Sequence, residues 1–184
     1  MITVAIPTHP GREKLLRRAL SSVFAQTLPA AAVNVAVDLD RQGSAATRNR
    51  ALAAVQTEWV SFLDSDDQML PRHLELLAAC AELSSADLVY SVPEFVGRAA
   101  AQLRFGLPFD PDALRAANYI PVTVLARTEL VQAAKGFQCP PGSLHDDWGC
   151  WLAMLDLGAK FVHLPEVTWL WNWHSGQTEG CADR

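Results

Sequence analysis

Phe62-Leu63-Asp64-Ser65-Asp66-Asp67 is a stretch in which three carboxylates follow directly on an apolar run. Residues 59–63 have the length and apolar character of a buried strand, so the acids come at its carboxyl end. Because ionised carboxylates placed close together repel one another and lose hydration on burial, they need a compensating cation. Carboxylate and phosphate oxygens are good ligands of Mg²⁺ and Mn²⁺, so the stretch predicts a site where a divalent cation meets a diphosphate. An acidic turn before the helix at Pro71 is the alternative interpretation.

Predicted strands and helices alternate on either side of this stretch. Strands are expected at residues 2–7, 33–37, 59–63 and 88–92, with helices at residues 13–25, 44–55 and 71–83. This rhythm predicts an α/β fold with a mainly parallel central sheet and helices on both faces. Ligands of such sheets bind outside the carboxyl ends of the strands, where Asp38 and Asp64 lie.

The second half of the chain is less regular. We expect a loop-rich crossover at residues 93–112 and strands at 121–126, 161–164 and 167–173. A short helix capped by Thr128 and a helix over residues 146–157 are also expected. Ser44 is the expected cap of the helix at residues 44–55. Because no repeat or linker separates the halves, residues 1–184 are predicted to form a single domain.

Composition and charge narrow the classes of function. Half of the 184 residues are hydrophobic and 19% are charged, which is typical of a globular protein. A net charge of −5 argues against general nucleic-acid binding. No apolar run approaches the ~20 residues that span a bilayer, and the first residues do not resemble a signal peptide. We therefore expect a cytoplasmic protein without stable membrane insertion.

We interpret the cysteines and the basic residues near the N-terminus as structural rather than functional. None of the four cysteines forms a Cys-x-x-Cys pair, so all are predicted to be free thiols rather than zinc ligands. The basic side chains of residues 12–18 are predicted to lie on the solvated face of a helix.

Further motifs accompany the acidic stretch in a fixed order. They are Val4-Ala5-Ile6-Pro7-Thr8, residues 22–27, Ala46-Thr47-Arg48-Asn49, residues 118–121, His145-Asp146-Asp147-Trp148, residues 158–161 and Trp173-His174-Ser175-Gly176. Together they cover nearly the whole chain, which resembles the family 2 glycosyltransferases of GT-A fold. The resemblance implies a GT-A-like three-layer fold, a UDP-, GDP- or dTDP-linked sugar donor, and Mn²⁺ or Mg²⁺ as cofactor. It also implies a donor- and metal-binding half at residues 1–92 and an acceptor and catalytic-base half at residues 93–184.

The resemblance assigns roles to individual positions. Donor binding falls on Pro7, Thr8, Asp38, Arg48, Asn49, Asp64 and Ser65, and metal binding on Asp64, Asp66 and His174. Asp147 corresponds to the general base, with Asp146 as the other acid of the pair. The chemistry of the residues agrees, because burial and a neighbouring acid raise a carboxyl pKa while a helix N-terminus lowers it. Simple helix N-terminal charge is the alternative for both acids.

The tryptophans have two candidate roles, contact with a sugar and packing in the core. Trp148 is predicted to flank a sugar, whereas Trp151 fits core packing equally well. Trp169, Trp171 and Trp173 share one face of a predicted strand, which we interpret as a sheet face packed on the core rather than a sugar platform.

The chain departs from the family pattern after the second strand. Leu39 stands where a second acid is usual, and Asp40 is the candidate to replace it by a shift of the loop. The segment before Arg48 is short by about one helix and one strand. An inverting, metal-dependent glycosyltransferase is the favoured function, with a non-catalytic nucleotide-sugar- or glycan-binding module as the alternative. A nucleotidyltransferase is discounted because residues 7–12 are not glycine-rich. The acceptor stays open among glycans, lipid-linked sugars, proteins, small molecules and a modified DNA base, and the sequence predicts no oligomeric state.

Overall fold

A computed structural model describes residues 1–97, 105–139 and 145–173. The strands are β1 (Ile2–Thr8), β2 (Ala32–Val37), β3 (Trp59–Phe62), β4 (Gln68–Met69), β5 (Leu88–Val96), β6 (Val124–Arg127) and β7 (Phe161–Asn172). The helices are α1 (Glu13–Phe24), α2 (Ser44–Ala53), α3 (His73–Ser84), α4 (Pro111–Ala116), α5 (Thr128–Ala133) and α6 (Asp146–Asp156). Within these ranges, no helix is both long and apolar enough to span a bilayer.

The described strands form one sheet in the order β2-β1-β3-β6-β5-β7-β4. Strand β1 pairs in parallel with β2 and β3, and β5 pairs in parallel with β7. Strand β6 runs antiparallel to both β3 and β5, and β4 runs antiparallel to β7, so the sheet is mixed. Because β1, β2 and β3 are parallel, their carboxyl ends meet at one edge, which we call the rim.

Helices cover both faces of this sheet. Alternate residues of β1 point to opposite faces, since Ile2, Val4 and Ile6 pack with α1 and α3 while Ala5 packs with α2, α5 and α6. Each face has its own hydrophobic cluster, with fully buried side chains such as Trp151 in one and Leu77 in the other. The predicted α/β fold with three layers is confirmed.

Several local predictions need correction. Ser44 does not cap α2, since Gly43 precedes the helix with a φ of 88° and Ser44 is its first residue. The two strands expected near the C-terminus form the single strand β7, which Pro165 does not interrupt. The short elements β4 and α4 were not predicted, because two and six residues carry too little periodicity to be recognised.

Candidate functional site

A cavity of about 1250 Å³ opens at the rim. Strands β1 and β3 and the start of α6 each place motif residues on its wall. The sequence-predicted residues that line it are Pro7, Thr8, Asp38, Arg48, Asp64, Ser65, Asp66, Asp146 and Asp147. Asn49 and Trp148 are not among its lining residues, and His174 lies outside the described residues. The cavity therefore brings together most of the positions that the motifs singled out.

Asp64, Asp66 and Asp67, the acid cluster, follow directly on β3. One carboxylate oxygen from each lies within 4.8 Å of the others, a spacing that allows all three to hold one metal ion. Asp66 and Asp67 are buried, whereas the Asp64 side chain is 29% exposed and faces the cavity. The sequence analysis named only two of these acids as ligands, although the signal for Asp67 was present in the same stretch.

Arg48 on α2 joins two of the acidic positions. Its guanidinium donates to both oxygens of Asp64, at 2.7 and 2.9 Å, and to both oxygens of Asp146, at 2.6 and 2.7 Å. These carboxylates keep the guanidinium charged and raise the Arg48 pKa despite its burial. The guanidinium thus supplies part of the positive charge that the acids need, while Arg48 also lines the cavity.

Arg12 neutralises the second acid of the cluster. Its guanidinium lies 2.8 Å from Asp66, and only 11% of the Arg12 side chain is exposed. The prediction that this basic group faces solvent is therefore wrong for Arg12. Arg18 is exposed on α1, as predicted, and donates to Gln68 and Asn172 at 2.7 and 3.3 Å. The loop and helix after β1 are folded back over the rim, a contact that helical periodicity alone does not reveal.

Asp67 lies deepest in the acid cluster. One of its oxygens accepts a hydrogen bond of 2.9 Å from the backbone N–H of Asn172, which ties β7 to the rim. Burial, followed by the charges of Asp66 and Asp64, raises the Asp67 pKa well above its usual value. Burial likewise raises the pKa of Asp64, against the attraction of Arg48. Such elevated values indicate excess negative charge, so the donor set fits a hard divalent cation.

Asp147 at the start of α6 has the properties of a base. Its Oδ1 accepts hydrogen bonds from the Asn118 amide, at 2.9 Å, and from the Trp148 backbone N–H, at 2.8 Å. Burial and then the charge of Asp146 raise the Asp147 pKa to about 7. A carboxyl group that titrates near neutral pH can accept a proton more readily than an ordinary aspartate. Asn118 was quoted within a motif but was given no role.

Asp146 is placed differently from its neighbour. It is 2% exposed, and besides Arg48 it accepts a 2.8 Å hydrogen bond from the Ser44 hydroxyl. Its oxygens are thus held by residues of α2, and it fixes the guanidinium of Arg48. Unlike Asp147, Asp146 therefore has both carboxylate oxygens engaged by α2, although it lines the cavity.

Asp38 stabilises the loop after β2 through hydrogen bonds. Its oxygens accept from the backbone N–H groups of Gln42 and Gly43, at 2.9 and 2.8 Å. Partial burial acts to raise the Asp38 pKa, but these donors outweigh it and lower the pKa. Leu39 is 73% exposed and lines the cavity, whereas Asp40 is exposed and is not among the lining residues. In this structure Leu39, and not Asp40, thus borders the cavity.

Two buried hydroxyl groups on the cavity wall lack internal partners. Thr8 Oγ1 at the end of β1 and Ser65 Oγ in the acidic stretch have no hydrogen-bond partner within the part of the chain that the structure describes. Buried hydroxyls are normally satisfied, so an unpartnered one at a cavity indicates a place for a polar ligand atom.

Two expected ligand contacts are structural instead. The Asn49 amide donates to the Phe137 carbonyl and accepts from the Phe137 N–H, both at 2.8 Å, which ties α2 to the segment after α5. A Cβ at Gly136 would lie 2.2 Å from the Asn49 side chain, and its φ of 65° also favours glycine. The Trp148 indole donates to the Leu114 carbonyl at 2.7 Å and packs against the core.

Five aromatic rings line the cavity, and three of them are the tryptophans whose shared face was predicted to pack on the core. We call this set the aromatic wall, and its members are Phe95, Phe105, Trp169, Trp171 and Trp173. Trp171 contacts three of the others, with ring centroids 5.3 Å from Phe95, 4.9 Å from Phe105 and 5.7 Å from Trp169. The alternation of Trp169, Trp171 and Trp173 did predict a shared face, but it could not show that the face borders a cavity.

The cysteines differ from expectation at one position. Cys80 and Cys150 are free, as predicted, but Cys139 is disulfide-bonded. This gives no support to the cytoplasmic expectation, because disulfides persist mainly in oxidising compartments.

Comparisons with known proteins identify the family and the fold. The model of Glycosyl transferase family 2 matches residues 33–151. A structure of S. aureus TarS 1–349 in complex with UDP-GlcNAc is similar with a TM-score of 0.77 and 21% identity, over 98% of this chain and 61% of that one. TarS 1–349 in complex with UDP gives a TM-score of 0.69 and 20% identity, over 94% and 60% of the two chains.

The similarity to TarS shows the fold and covers only part of that protein. The chain spans about three fifths of the TarS 1–349 structures and 36% of a longer TarS structure. No curated protein matched the sequence. The family match covers well over half of the chain and includes β2, the acid cluster and the start of α6. The chain belongs to glycosyl transferase family 2 and has its GT-A-like fold.

Proposed function

We propose that this protein is a metal-dependent, inverting glycosyltransferase that moves a sugar from a nucleotide-diphospho-sugar to an acceptor hydroxyl. One observation carries the proposal. A single cavity is lined both by the acid cluster, which fits a cation, and by Asp147, whose pKa of about 7 suits a general base. A transfer of this kind needs both functions within reach of one substrate.

The donor is proposed to lie along the rim near β1 and β3. Pro7, Thr8 and Ser65 line this part of the cavity, and the two hydroxyls are available to oxygen or nitrogen atoms of a nucleotide. Arg12 and Arg48 bring two guanidinium groups beside the acids, where a diphosphate would be attracted. Because TarS binds UDP-GlcNAc and UDP in the similar structures, a UDP-sugar is the first donor to test, ahead of GDP- and dTDP-sugars.

Asp64, Asp66 and Asp67 would hold the metal ion, which we propose to be Mn²⁺ or Mg²⁺. When bound, such a cation neutralises the charge that develops on the departing diphosphate. Two arginines already neutralise part of the negative charge of the acid cluster, since Arg48 pairs with Asp64 and Arg12 with Asp66. Metal binding is therefore expected to weaken one or both ion pairs and to leave a guanidinium closer to the phosphates.

Asp147 is proposed to act as the general base. Its Oδ2 has no hydrogen-bond partner among the described residues, whereas Oδ1 is held by Asn118 and the Trp148 N–H. Oδ2 would accept the proton of the acceptor hydroxyl as its oxygen attacks the anomeric carbon. The bond from that carbon to the diphosphate breaks in the same step, so the configuration inverts. Asp146 acts through Arg48 and is a positioning residue.

Release of nucleoside diphosphate tests the proposal directly. Purified protein would be incubated with UDP-, GDP- and dTDP-sugars and Mn²⁺, with water or added saccharides and alcohols as acceptors. We expect turnover with one donor class, and a loss of about 10²–10⁴-fold in kcat for Asp147→Asn with donor binding retained. Asp156→Asn is the matched control, since Asp156 is a 63% exposed acid near the other end of the same helix.

The outcomes separate the proposal from its alternative. Turnover in Asp147→Asn at the wild-type rate contradicts the assignment of the base. Saturable binding of a nucleotide-sugar without turnover of any donor in the wild-type protein supports the alternative, a non-catalytic binding module on the same fold.

A further inference from the structure

The aromatic wall has no role in donor binding as proposed above. In the sheet order β2-β1-β3-β6-β5-β7-β4, the donor residues belong to the β2, β1 and β3 half. The wall belongs to β5, to β7 and to Trp173 directly after β7. Phe95 pairs directly with Trp171, and Phe105 packs on both. The wall therefore borders the same cavity from the opposite half of the sheet.

A backbone hydrogen bond connects the strand that carries the wall to the acid cluster. The backbone N–H of Asn172, between Trp171 and Trp173, donates to Asp67 of the acid cluster at 2.9 Å. The same strand therefore carries both a contact to the proposed cation site and the largest group of rings in the cavity. A substrate lying on the wall would be within the space shared with the acid cluster and Asp147.

The chemistry of the wall combines apolar faces with one unsatisfied donor. Trp169 is 1% exposed, and its indole Nε1–H has no hydrogen-bond partner in the described part of the chain. Buried indole N–H groups usually find an acceptor, so this one indicates a ligand oxygen. Trp173 is 40% exposed and Trp171 is partly exposed, so ring surface is accessible from the cavity.

We propose that the aromatic wall is the acceptor subsite and that the acceptor is a saccharide. A pyranose ring has a face of C–H groups that packs on indole and phenyl rings, and an edge of hydroxyls that can reach the Trp169 N–H. The same edge presents the hydroxyl whose proton Asp147 would accept. A fully apolar acceptor would leave the Trp169 donor unsatisfied, and a fully polar one would gain nothing from the five rings. This inference rests on the proposed glycosyltransferase function.

Two binding measurements on the same samples test the inference. Wild-type protein would be applied to an array of immobilised mono- and oligosaccharides, and its affinity for UDP with Mn²⁺ would be measured by calorimetry. We expect binding to at least one saccharide, weakened about tenfold or more by Trp171→Leu and several-fold by Trp173→Ala. The UDP affinity of both variants should equal that of the wild type, which also shows that they are folded. Phe24→Leu is the matched control, because Phe24 is a 75% exposed aromatic on α1 that does not line the cavity.

Each outcome decides the matter. Equal saccharide binding by the wild type and both tryptophan variants overturns the inference, as does a wild type that binds UDP but no saccharide. Loss of UDP affinity in a folded Trp171→Leu, judged by circular dichroism, also overturns it and assigns the wall to the nucleobase. Saccharide binding that depends on Trp171 in a protein that binds no UDP supports the subsite while the proposed transferase function fails.

Discussion

The acid cluster and the aromatic wall border one cavity but differ in how far their polar groups are already paired within the protein. At the acid cluster, charge is already partly balanced within the protein, because Arg48 pairs with Asp64 and Arg12 with Asp66. At the wall, rings contact one another and the Trp169 N–H has no partner among the described residues. A ligand at the first region must replace internal ion pairs, whereas a ligand at the second replaces water.

This difference indicates which substitutions the folded protein should tolerate. Taking one partner from a buried ion pair leaves an uncompensated charge, which is far more destabilising than losing a partly exposed ring that packs on one side. The acid cluster should therefore couple strongly to folding stability and to pH, and the wall weakly to both.

Arg48→Met should have the largest effect on stability. The change leaves Asp64 and the buried Asp146 without their shared cation, so the free energy of unfolding should fall by about 3–5 kcal/mol. Urea denaturation measures this. Arg115→Met is the matched control, because the Arg115–Asp156 pair is 51% and 63% exposed and its loss should cost less than about 1 kcal/mol. Similar losses for the two variants would contradict the assigned importance of the Arg48 pairs.

Asp147→Asn should stabilise the protein at alkaline pH. The pKa of Asp147 is raised to about 7 in the folded state from an ordinary value of 3.8, so protonation favours folding. That contribution is complete below pH 3.8 and is lost as pH rises through about 7. An asparagine cannot ionise, so at pH 8.5 the variant should be more stable than the wild type by about 1–3 kcal/mol.

Denaturation at a second pH sharpens this prediction. At pH 5.5 the wild-type carboxyl is largely protonated in the folded state, so the advantage of Asp147→Asn should shrink. An advantage that is the same at both values would show that Asp147 does not titrate in this range.

The pH dependence of transfer should report the same carboxyl group. Because the base must be ionised, kcat/KM should be constant above about pH 7 and fall about tenfold per unit below it, in line with the Asp147 pKa. Initial rates at saturating Mn²⁺ between pH 5 and 9 measure this, and the donor affinity over the same range is the control. A profile that stays flat down to pH 5.5 would exclude Asp147 as the group that limits the rate.

Trp173→Ala should have the smallest effect on folding. Its ring is 40% exposed at the end of β7, so the free energy of unfolding should change by about 0.5 kcal/mol or less. Thermal denaturation alongside the wild type measures this. A large loss would make the wall part of the structural core, and the contrast with the acid cluster would disappear.

The fold was largely predictable because its signals are local. Apolar runs, Pro71 and the acids after β3 gave the α/β order and the residues of the rim. The antiparallel insertion of β6 between β3 and β5 was not predictable, since strand order depends on contacts between distant segments.

The site was predictable in its acids and less so in their partners. The sequence motifs singled out Asp64, Asp66 and Asp147. The contacts of Arg12 with Asp66 and of Asn118 with Asp147 join residues distant in sequence, so no local pattern predicts them. Trp148 and Trp171 show the limit most clearly. Both are tryptophans on amphipathic elements, yet the first packs against the core through Leu114 and the second lines the cavity.

Calorimetric titration of UDP, with Mn²⁺ and with EDTA, tests the central proposal most directly. If Asp64, Asp66 and Asp67 gather a cation around the diphosphate, Mn²⁺ should tighten UDP binding about tenfold or more, and Asp66→Asn should abolish that gain. UDP affinity that is the same with Mn²⁺ and with EDTA, or a gain that survives in folded Asp66→Asn, would contradict the account.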